Sequence, residues 1–324
     1  MSTETGPRVL VIGAGSIGRR HSKNLKELGA EVLINDTNIA LMEKVACEGG
    51  FQAITDIDKT LAREDLDGAL ICTPNNHHLT FARKTIEAGL DTFIEKPLSH
   101  SYDGVQELID LVKSNGVKVM CGFNMRYEAG LVKLKQLLNP QAVAFATIES
   151  GSFLPEWRKG TDYRNTYSAH RDQGGGIILD GIHELDYACW LFGYPQDIMC
   201  SCGRFSNQEI DVEDTAHMNL VYKDKLVSVH LDYVQRKYTR RAKVCNRDGY
   251  GMEWSFGDRV VSYTPEGEKT YSYRDSFDVN RMYVEEMSGF LRCLRFGERP
   301  SSDLENASRI LQLALKAREI GEAR

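Results

Sequence analysis

No run of this 324-residue chain is apolar for long enough to span a bilayer, and the first, Val9 to Ile12, has only the length of a strand. The opening MSTETGPR lacks a basic segment followed by an apolar one, so no secretory leader is expected. Paired cysteine spacing is missing too. The eight cysteines are scattered, with Cys72 in ALICTP and Cys189 in YACWLF, and the C-x-C at Cys200 and Cys202 has no second pair at zinc-site distance. Reduced core thiols in a cytoplasmic protein are therefore expected, with neither a disulfide framework nor a zinc site. Charge of one sign is not in excess. The 40 basic residues stand against 46 acidic ones, a formal net of −6, which argues against a nucleic-acid or anionic-membrane partner. Internal repeats and low-complexity segments are also absent.

What remains is a globular composition, 42% hydrophobic and 27% charged, at a length that suits two domains better than one. Residues 8 to 123 alternate short apolar runs with helical patterns. The strand candidates are Arg8–Ile12, Glu31–Asn35, Gly68–Cys72, Thr92–Ile94 and Val117–Phe123, with helices such as Gly18–Leu28 and Thr80–Ala88 between them. Continuous apolar strands separated by helices predict a parallel sheet covered on both faces.

After about residue 140 the texture changes. VAFATIES, DTAHMNLVYK, KLVSVHLDYVQ, RRAKVCNRDG and DRVVSYT alternate apolar and polar residues, with turn signals at Lys223-Asp224-Lys225, Arg247-Asp248-Gly249 and Pro265-Glu266-Gly267. This predicts an antiparallel sheet with one face buried. A closing helix from Asp303 has Ser302 or Asp303 as its N-cap. The expected division is one domain at 1–123, built on the parallel sheet, and a second at 124–324, built on the antiparallel one.

VLVIGAGSIG sets Gly13, Gly15 and Gly18 directly after the first strand and at the start of a helix, with Ser16 and Ile17 in the turn. The first glycine allows the tight turn, the second lets backbone N–H groups approach a pyrophosphate, and the third packs helix on strand. The helix N-terminus adds partial positive charge. Asp36 ends the second strand, where its carboxylate can take ribose hydroxyls and repel a 2′-phosphate. No arginine follows it, so NAD is favoured over NADP. Thr73, Pro74, Asn75 and His77 lie at the end of a later strand, and Glu95-Lys96-Pro97 ends the next. Ligands bind at that edge of such sheets, which makes Lys96 a candidate working group.

The segment GGGIILDGIHELDY, residues 174–187, crowds Asp180, His183, Glu184 and Asp186 into seven positions. On a helix, Ile178, Ile182, Leu185, Cys189 and Phe192 share the core face, while the polar groups and Tyr187 share the other. No lysine or arginine occurs from Ile177 to Gly193, which fits a ligand-facing wall better than a solvated one.

Taken together, the glycine turn with His21 after it, the Thr73-Pro74…His77 strand end, Glu95-Lys96-Pro97 and the GGG-x-x-x-D…H…D helix resemble the glucose–fructose oxidoreductase / inositol dehydrogenase / MocA family over nearly the whole chain. The resemblance implies an α/β protein: an N-terminal Rossmann domain, then an α/β domain with a large, mostly antiparallel open sheet. It implies NAD(P)-dependent oxidation or reduction of hydroxyl and keto groups on sugars, nucleotide sugars or cyclitols, and homodimers or homotetramers formed through that sheet. Lys96, Asp180 and His183 match the family's site residues. Here the aspartate and histidine are three residues apart, against four in the commoner pattern. The three-residue version resembles enzymes of bacterial surface-sugar pathways.

The chemistry expected is general-base catalysis by His183, whose ordinary pKa of about 6.5 lies near working pH. Lys96 would stabilise charge developing on the substrate oxygen, and Asp180 would orient the histidine or hold a neighbouring hydroxyl. No metal is expected at Asp180, His183 and Asp186, because hydride transfer to nicotinamide needs none. Arg126, near the domain junction, suits an anionic group or a brace. Tyr163, Arg164, Tyr167 and His170, in the long connection before the glycines, are candidate substrate contacts. Two other functions fit the same residues: a non-catalytic NAD sensor, and a redox-neutral enzyme that keeps its NAD.

Overall fold

The computed structural model describes residues 6–63 and 65–323. Its chain forms two compact units, one of residues 6–123 with Tyr283–Arg309, the other of Asn124–Met282 with residues 310–323.

In the first unit, β1 (Arg8–Ile12), α1 (Ser16–Glu27), β2 (Glu31–Asn35), α2 (Ile39–Gly49), β3 (Gln52–Ala53), α3 (Ile57–Leu61), β4 (Gly68–Ile71), α4 (His78–Glu87), β5 (Asp91–Glu95), α5 (Val105–Asn115) and β6 (Val119–Gly122) alternate along the chain. The strands pair in parallel in the order β3-β2-β1-β4-β5-β6. Valine, leucine and isoleucine dominate β1 and β2, and β4 is Gly-Ala-Leu-Ile, because helices cover both sheet faces, and Val9, Leu10, Val11, Leu33, Ile34, Leu70 and Ile71 are all within 1% of full burial. The strand order reverses between β1 and β4, and Ile12, Ile71 and Ile94 stand side by side in register at the carboxyl edge. That reversal opens the crevice in which such sheets bind ligands.

A single cut after Phe123 does not describe this unit. Tyr283–Arg309 joins it because its side chains complete the core: Phe290 meets Phe93 edge-on at 5.9 Å, and the Cys121 amide donates to Ser302 O at 2.9 Å.

The second unit contains α6 (Ala129–Leu137), β7 (Val143–Gly151), α7 (Ile177–Asp180), α8 (Ile182–Phe192), β8 (Asp197–Gly203), β9 (Thr215–Val221), β10 (Leu226–Asp232), β11 (Thr239–Asn246), β12 (Gly251–Ser255), β13 (Arg259–Thr264) and β14 (Gly267–Ser272). The helices α9 (Val279–Phe296) and α10 (Leu304–Glu322) follow. Eight strands pair in the order β14-β13-β12-β11-β7-β10-β9-β8, antiparallel except for β10 with β7. The predicted turns fall between β9 and β10, β11 and β12, and β13 and β14. Burial alternates along β7 and β10, and α6, α7 and α8 pack on one sheet face. Asp303 caps α10, its Oδ1 accepting the Asn306 amide at 2.9 Å.

The expected single helix over 177–193 is two. Gly181 separates α7 from α8, and it sits where a Cβ would press on Ile177 O and the Leu231 side chain, each 2.9 Å away.

Candidate functional site

The glycine turn after β1 has the geometry its sequence implies. Gly13 has φ of +109°, and a Cβ there would lie 2.5 Å from Cys72 O, so both conformation and space demand glycine. At Gly18 a Cβ would strike Gly13 O, which is why helix and strand can approach so closely. At Gly15 a Cβ would meet no heavy atom within 4 Å. The turn is open on that side, over the amino end of α1, and this open, amide-lined face fits a dinucleotide pyrophosphate. Asp36 Oδ2 accepts the Ala14 amide at 2.7 Å and Oδ1 the Asn38 amide at 2.8 Å. The carboxylate is thus fixed between the glycine turn and the end of β2, and each oxygen keeps a lone pair for a ribose hydroxyl.

The ends of β4 and β5 are tied together by a residue that sequence reasoning passed over. His77, the candidate, is exposed at the surface; His78 beside it is buried, its ring nitrogens 2.8 Å from Pro97 O and 2.9 Å from Thr73 O. Burial pushes the His78 imidazole below its ordinary pKa, while hydrogen bonds to the two carbonyls act in the opposite sense. Thr73-Pro74 and Lys96-Pro97, a cis peptide, therefore hang from one post. Glu95 is fixed as well: Oε1 meets Nε2 of buried His21 at 2.7 Å, and Oε2 accepts the Lys96 amide at 3.0 Å. Among the described residues, His21, Glu95 and Glu286 bring ligand-type atoms within 4.8 Å of one another, whereas Asp180, His183 and Asp186 form no such group. His21 packs edge-on against Phe93 and Tyr283.

In the second unit the glycine triplet serves close packing. Gly176 has φ of +105°, and a Cβ would run into the Glu213 carboxylate. Glu213 accepts the Ile178 amide at 3.2 Å, and Arg318 reaches Gly175 O at 2.8 Å and Glu213 at 3.4 Å. The start of α7 is anchored from two sides, and this sets Asp180.

Asp180 is buried, with Oδ2 accepting the Tyr233 hydroxyl at 2.6 Å. Tyr167 also bonds its carboxyl group. Burial, then the charge of Asp180, pushes both phenols well above their ordinary range, so both remain donors at neutral pH. Asp180 forms part of the wall of a cavity of about 400 Å³, together with Ser150, Ser152, Trp157, Asp232 and Arg240. That volume is within the range of small-molecule sites. His183 is itself buried at 9% exposure, near the start of α8, and is not part of that cavity's wall.

Of the connecting-loop candidates, Tyr167 reaches Asp180 and the others do not. Tyr163 accepts the Glu209 amide through its hydroxyl, and exposed Arg164 is paired with Asp162 at 2.8 Å and Glu209 at 3.2 Å. His170 Nε2 meets Arg164 O at 2.6 Å. These three hold the loop to itself and to Glu209, between β8 and β9. Arg126 is also not turned to a ligand: its Nε and Nη2 bond both oxygens of fully buried Asp186, at 2.8 and 2.6 Å. It is a brace. Glu184 and Asp186 correct the reading of α8 as a ligand-facing wall, because Glu184 pairs with Arg240 at 2.7 Å and Tyr187 packs edge-on to Trp254. The missing basic partners lie far away in sequence, on β11 and before α6. Tyr233, just after β10, was missed because a tyrosine in KLVSVHLDYVQ carries no signal of its own; its partner is 53 residues away.

Residues 7–123 match the GFO_IDH_MocA family model, described as an oxidoreductase family with an NAD-binding Rossmann fold. Residues 142–250 match the model of the GFO/IDH/MocA C-terminal domain. Myo-inositol 2-dehydrogenase of Thermotoga maritima is 26% identical, across 96% of this chain and 95% of its own. The 2,7-anhydro-N-acetylneuraminate hydratase of Mediterraneibacter gnavus is 26% identical across 68% of this chain. The chain spans 59% of the length of that relative and of one other curated relative. In fold, the chain is similar to UDP-N-acetylglucosamine 3-dehydrogenase from Acidithiobacillus ferrooxidans, with a TM-score of 0.83 at 21% identity over 98% of both chains.

Proposed function

The chain belongs to the GFO/IDH/MocA family of NAD-binding oxidoreductases, and on that premise we propose that it is an NAD-dependent dehydrogenase or reductase of a sugar-like substrate. It would act on a secondary hydroxyl or keto group of a sugar, nucleotide sugar or cyclitol. The observation that carries this is the Asp180 carboxylate, gripped by Tyr167 and Tyr233 at the wall of a cavity of about 400 Å³ edged by Trp157 and Tyr238. A carboxylate oriented by fixed donors suits pairs of hydroxyl groups on a ring. NAD fits better than NADP because Asp36 would repel a 2′-phosphate.

When bound, the nicotinamide accepts or returns the hydride. His183 takes the proton of the reacting hydroxyl as general base and gives it back in reduction. Lys96, carried on the end of β5, stabilises negative charge that develops on a substrate oxygen. Asp180 holds a neighbouring hydroxyl, and its two tyrosines keep its carboxylate at one angle. Gly13, Gly15, Ser16, Ile17, Gly18, Asp36, Thr73, Pro74, Asn75, His77 and Glu95 line the dinucleotide site in this proposal.

The test is NADH absorbance across a panel of sugars, nucleotide sugars and cyclitols. His183→Ala and Lys96→Ala should each lower turnover by about 100-fold or more, with NAD still bound. Near-normal turnover in either variant overturns that residue's role. A redox-neutral reading has one observation behind it, the likeness to a hydratase. NAD retained through purification, with product formed and no net NADH, would decide for it.

Assembly and setting follow the same premise. We place a homodimer or homotetramer contact on the open face of the eight-stranded sheet, where Phe145 and its register partner Leu226 are 38% and 58% exposed and Met199 is 53% exposed. A cytoplasmic role in building surface sugars is the setting we propose.

A further inference from the structure

We infer that Arg158 is an anion-binding residue of the second unit's cavity, and that the substrate is a sugar bearing a carboxylate or phosphate group. This rests on the dehydrogenase reading and deepens it. The argument is a balance of charge along the cavity wall, which carries Asp180, Asp232, Arg158 and Arg240.

Three of these four charges are answered within the unit. Asp180 takes hydroxyl donors from Tyr233 and Tyr167. Asp232 accepts the Val234 and Gln235 amides, each at 2.8 Å, together with Gln235 Nε2 at 2.6 Å and His230 Nε2 at 3.1 Å. Arg240 is paired with buried Glu184 at 2.7 Å. Arg158 differs. Among the described residues it has no carboxylate at ion-pair distance, and its guanidinium lies over the ring of Tyr167, 5.8 Å from the centroid. That ring belongs to the tyrosine bonded to Asp180, so the guanidinium stands one side chain from the proposed reacting end.

Its neighbour fixes its place. Trp157 donates from Nε1 to Ser152 Oγ at 2.9 Å and packs edge-on against Tyr233 at 5.2 Å. Position 158 is therefore held at the cavity rim by the residue before it. Trp157 offers an apolar edge to a sugar ring, Ser150 and Ser152 offer hydroxyls, and Arg158 offers a planar fork of donors that matches a carboxylate or phosphate. Arg126 and Arg164 cannot take this part, since each is already paired.

The experiment pairs anionic probes with their neutral parents on the full-length protein: glucuronate and glucose 1-phosphate against glucose, and UDP-N-acetylglucosamine against N-acetylglucosamine, with myo-inositol as a further neutral probe. Binding is read by calorimetry in the presence of NAD and turnover by NADH absorbance. The expected result is preference for the anionic member of a pair, with glucuronate and glucose 1-phosphate separating carboxylate from phosphate recognition. In Arg158→Ala the ratio of kcat/KM for anionic over neutral probe should fall about 10- to 100-fold, as for a lost charge-assisted pair. Arg158→Lys should recover part of it. Equal handling of neutral and anionic probes by the native protein, or an unchanged ratio in Arg158→Ala, overturns the assignment and leaves the dehydrogenase reading standing. No binding or turnover with any probe overturns both.

Discussion

One hydroxyl group decides how firmly Asp180 is held. Tyr233 is fully buried and donates to Asp180 at 2.6 Å, so Tyr233→Phe removes a donor without changing the ring that packs against Trp157. A buried acceptor that loses one partner costs about 1–3 kcal/mol. We expect Tyr233→Phe to lower stability by roughly 1 kcal/mol and kcat/KM by about 10-fold, with NAD affinity unchanged. Thermal unfolding, steady-state kinetics and NAD titration check the three parts, and undiminished kcat/KM would remove Tyr233 from the site. Because burial raises both tyrosine phenols well above their ordinary range, neither ionises between pH 6 and 9, and no activity loss in that window should trace to them. At this scale the sequence was readable where one residue type does one job. Gly13 and Gly18 each answer a local backbone or spacing demand, and the structure puts them where that demand arises. It was unreadable where the job depends on a distant partner. Arg126 and Asp186 are 60 residues apart, and neither one's surroundings in sequence name the other.

Elements show the same division, with a different cause. Strands β7, β9, β10 and β11 were legible because one side of each is buried and burial imposes a period of two. Strand β14, GEKTYS, has no buried residue, so nothing in its composition marks it; it forms because β13 offers a free edge. Helix α8 misled in the opposite way. Ten of its eleven residues are buried, yet it carries Glu184 and Asp186, whose polarity reads in sequence as a face toward ligand and marks ion pairs inside the unit. The start of α7 makes the element-scale prediction. Gly176→Ala would force a positive φ on a residue with a Cβ, at a cost of about 1–3 kcal/mol, and would push on the Glu213 carboxylate that anchors α7. We expect a lower melting temperature and a turnover loss at least as large as that of Tyr233→Phe, while NAD binding by the first unit stays near normal. An active, fully stable Gly176→Ala protein would show that α7 does not depend on this anchor.

At the scale of the whole molecule, chain order and compact units do not coincide. The texture change after about residue 140 was legible because a buried parallel sheet and a half-buried antiparallel one differ in hydrophobic period. The return of Tyr283–Arg309 to the first unit was not, since an amphipathic helix records that it has an apolar partner and says nothing of which. The contacts are specific. Phe290 packs on Phe93, Tyr283 on His21, Tyr102 bonds Ser308 at 2.9 Å, and Asp303 bridges to Met120 of β6. Phe93 and His21 are fully buried, and His21 positions Glu95 next to Lys96. Removing the returning segment would therefore uncover apolar surface and loosen the strand end that carries the proposed cofactor-side lysine. Exposing a fully buried large apolar side chain costs about 1.5–3 kcal/mol, and a domain holds only about 5–15 kcal/mol in all. A fragment of residues 1–123 should accordingly melt without a sharp transition and bind NAD at least about 10-fold more weakly, since ligand affinity falls with the folded fraction. The same fragment with residues 283–309 appended through a Gly/Ser linker should regain both the transition and the affinity. Circular dichroism melts and NAD calorimetry on the two fragments decide the matter, and a cooperative melt with full NAD affinity in 1–123 alone would show that the returning helix is dispensable to the unit.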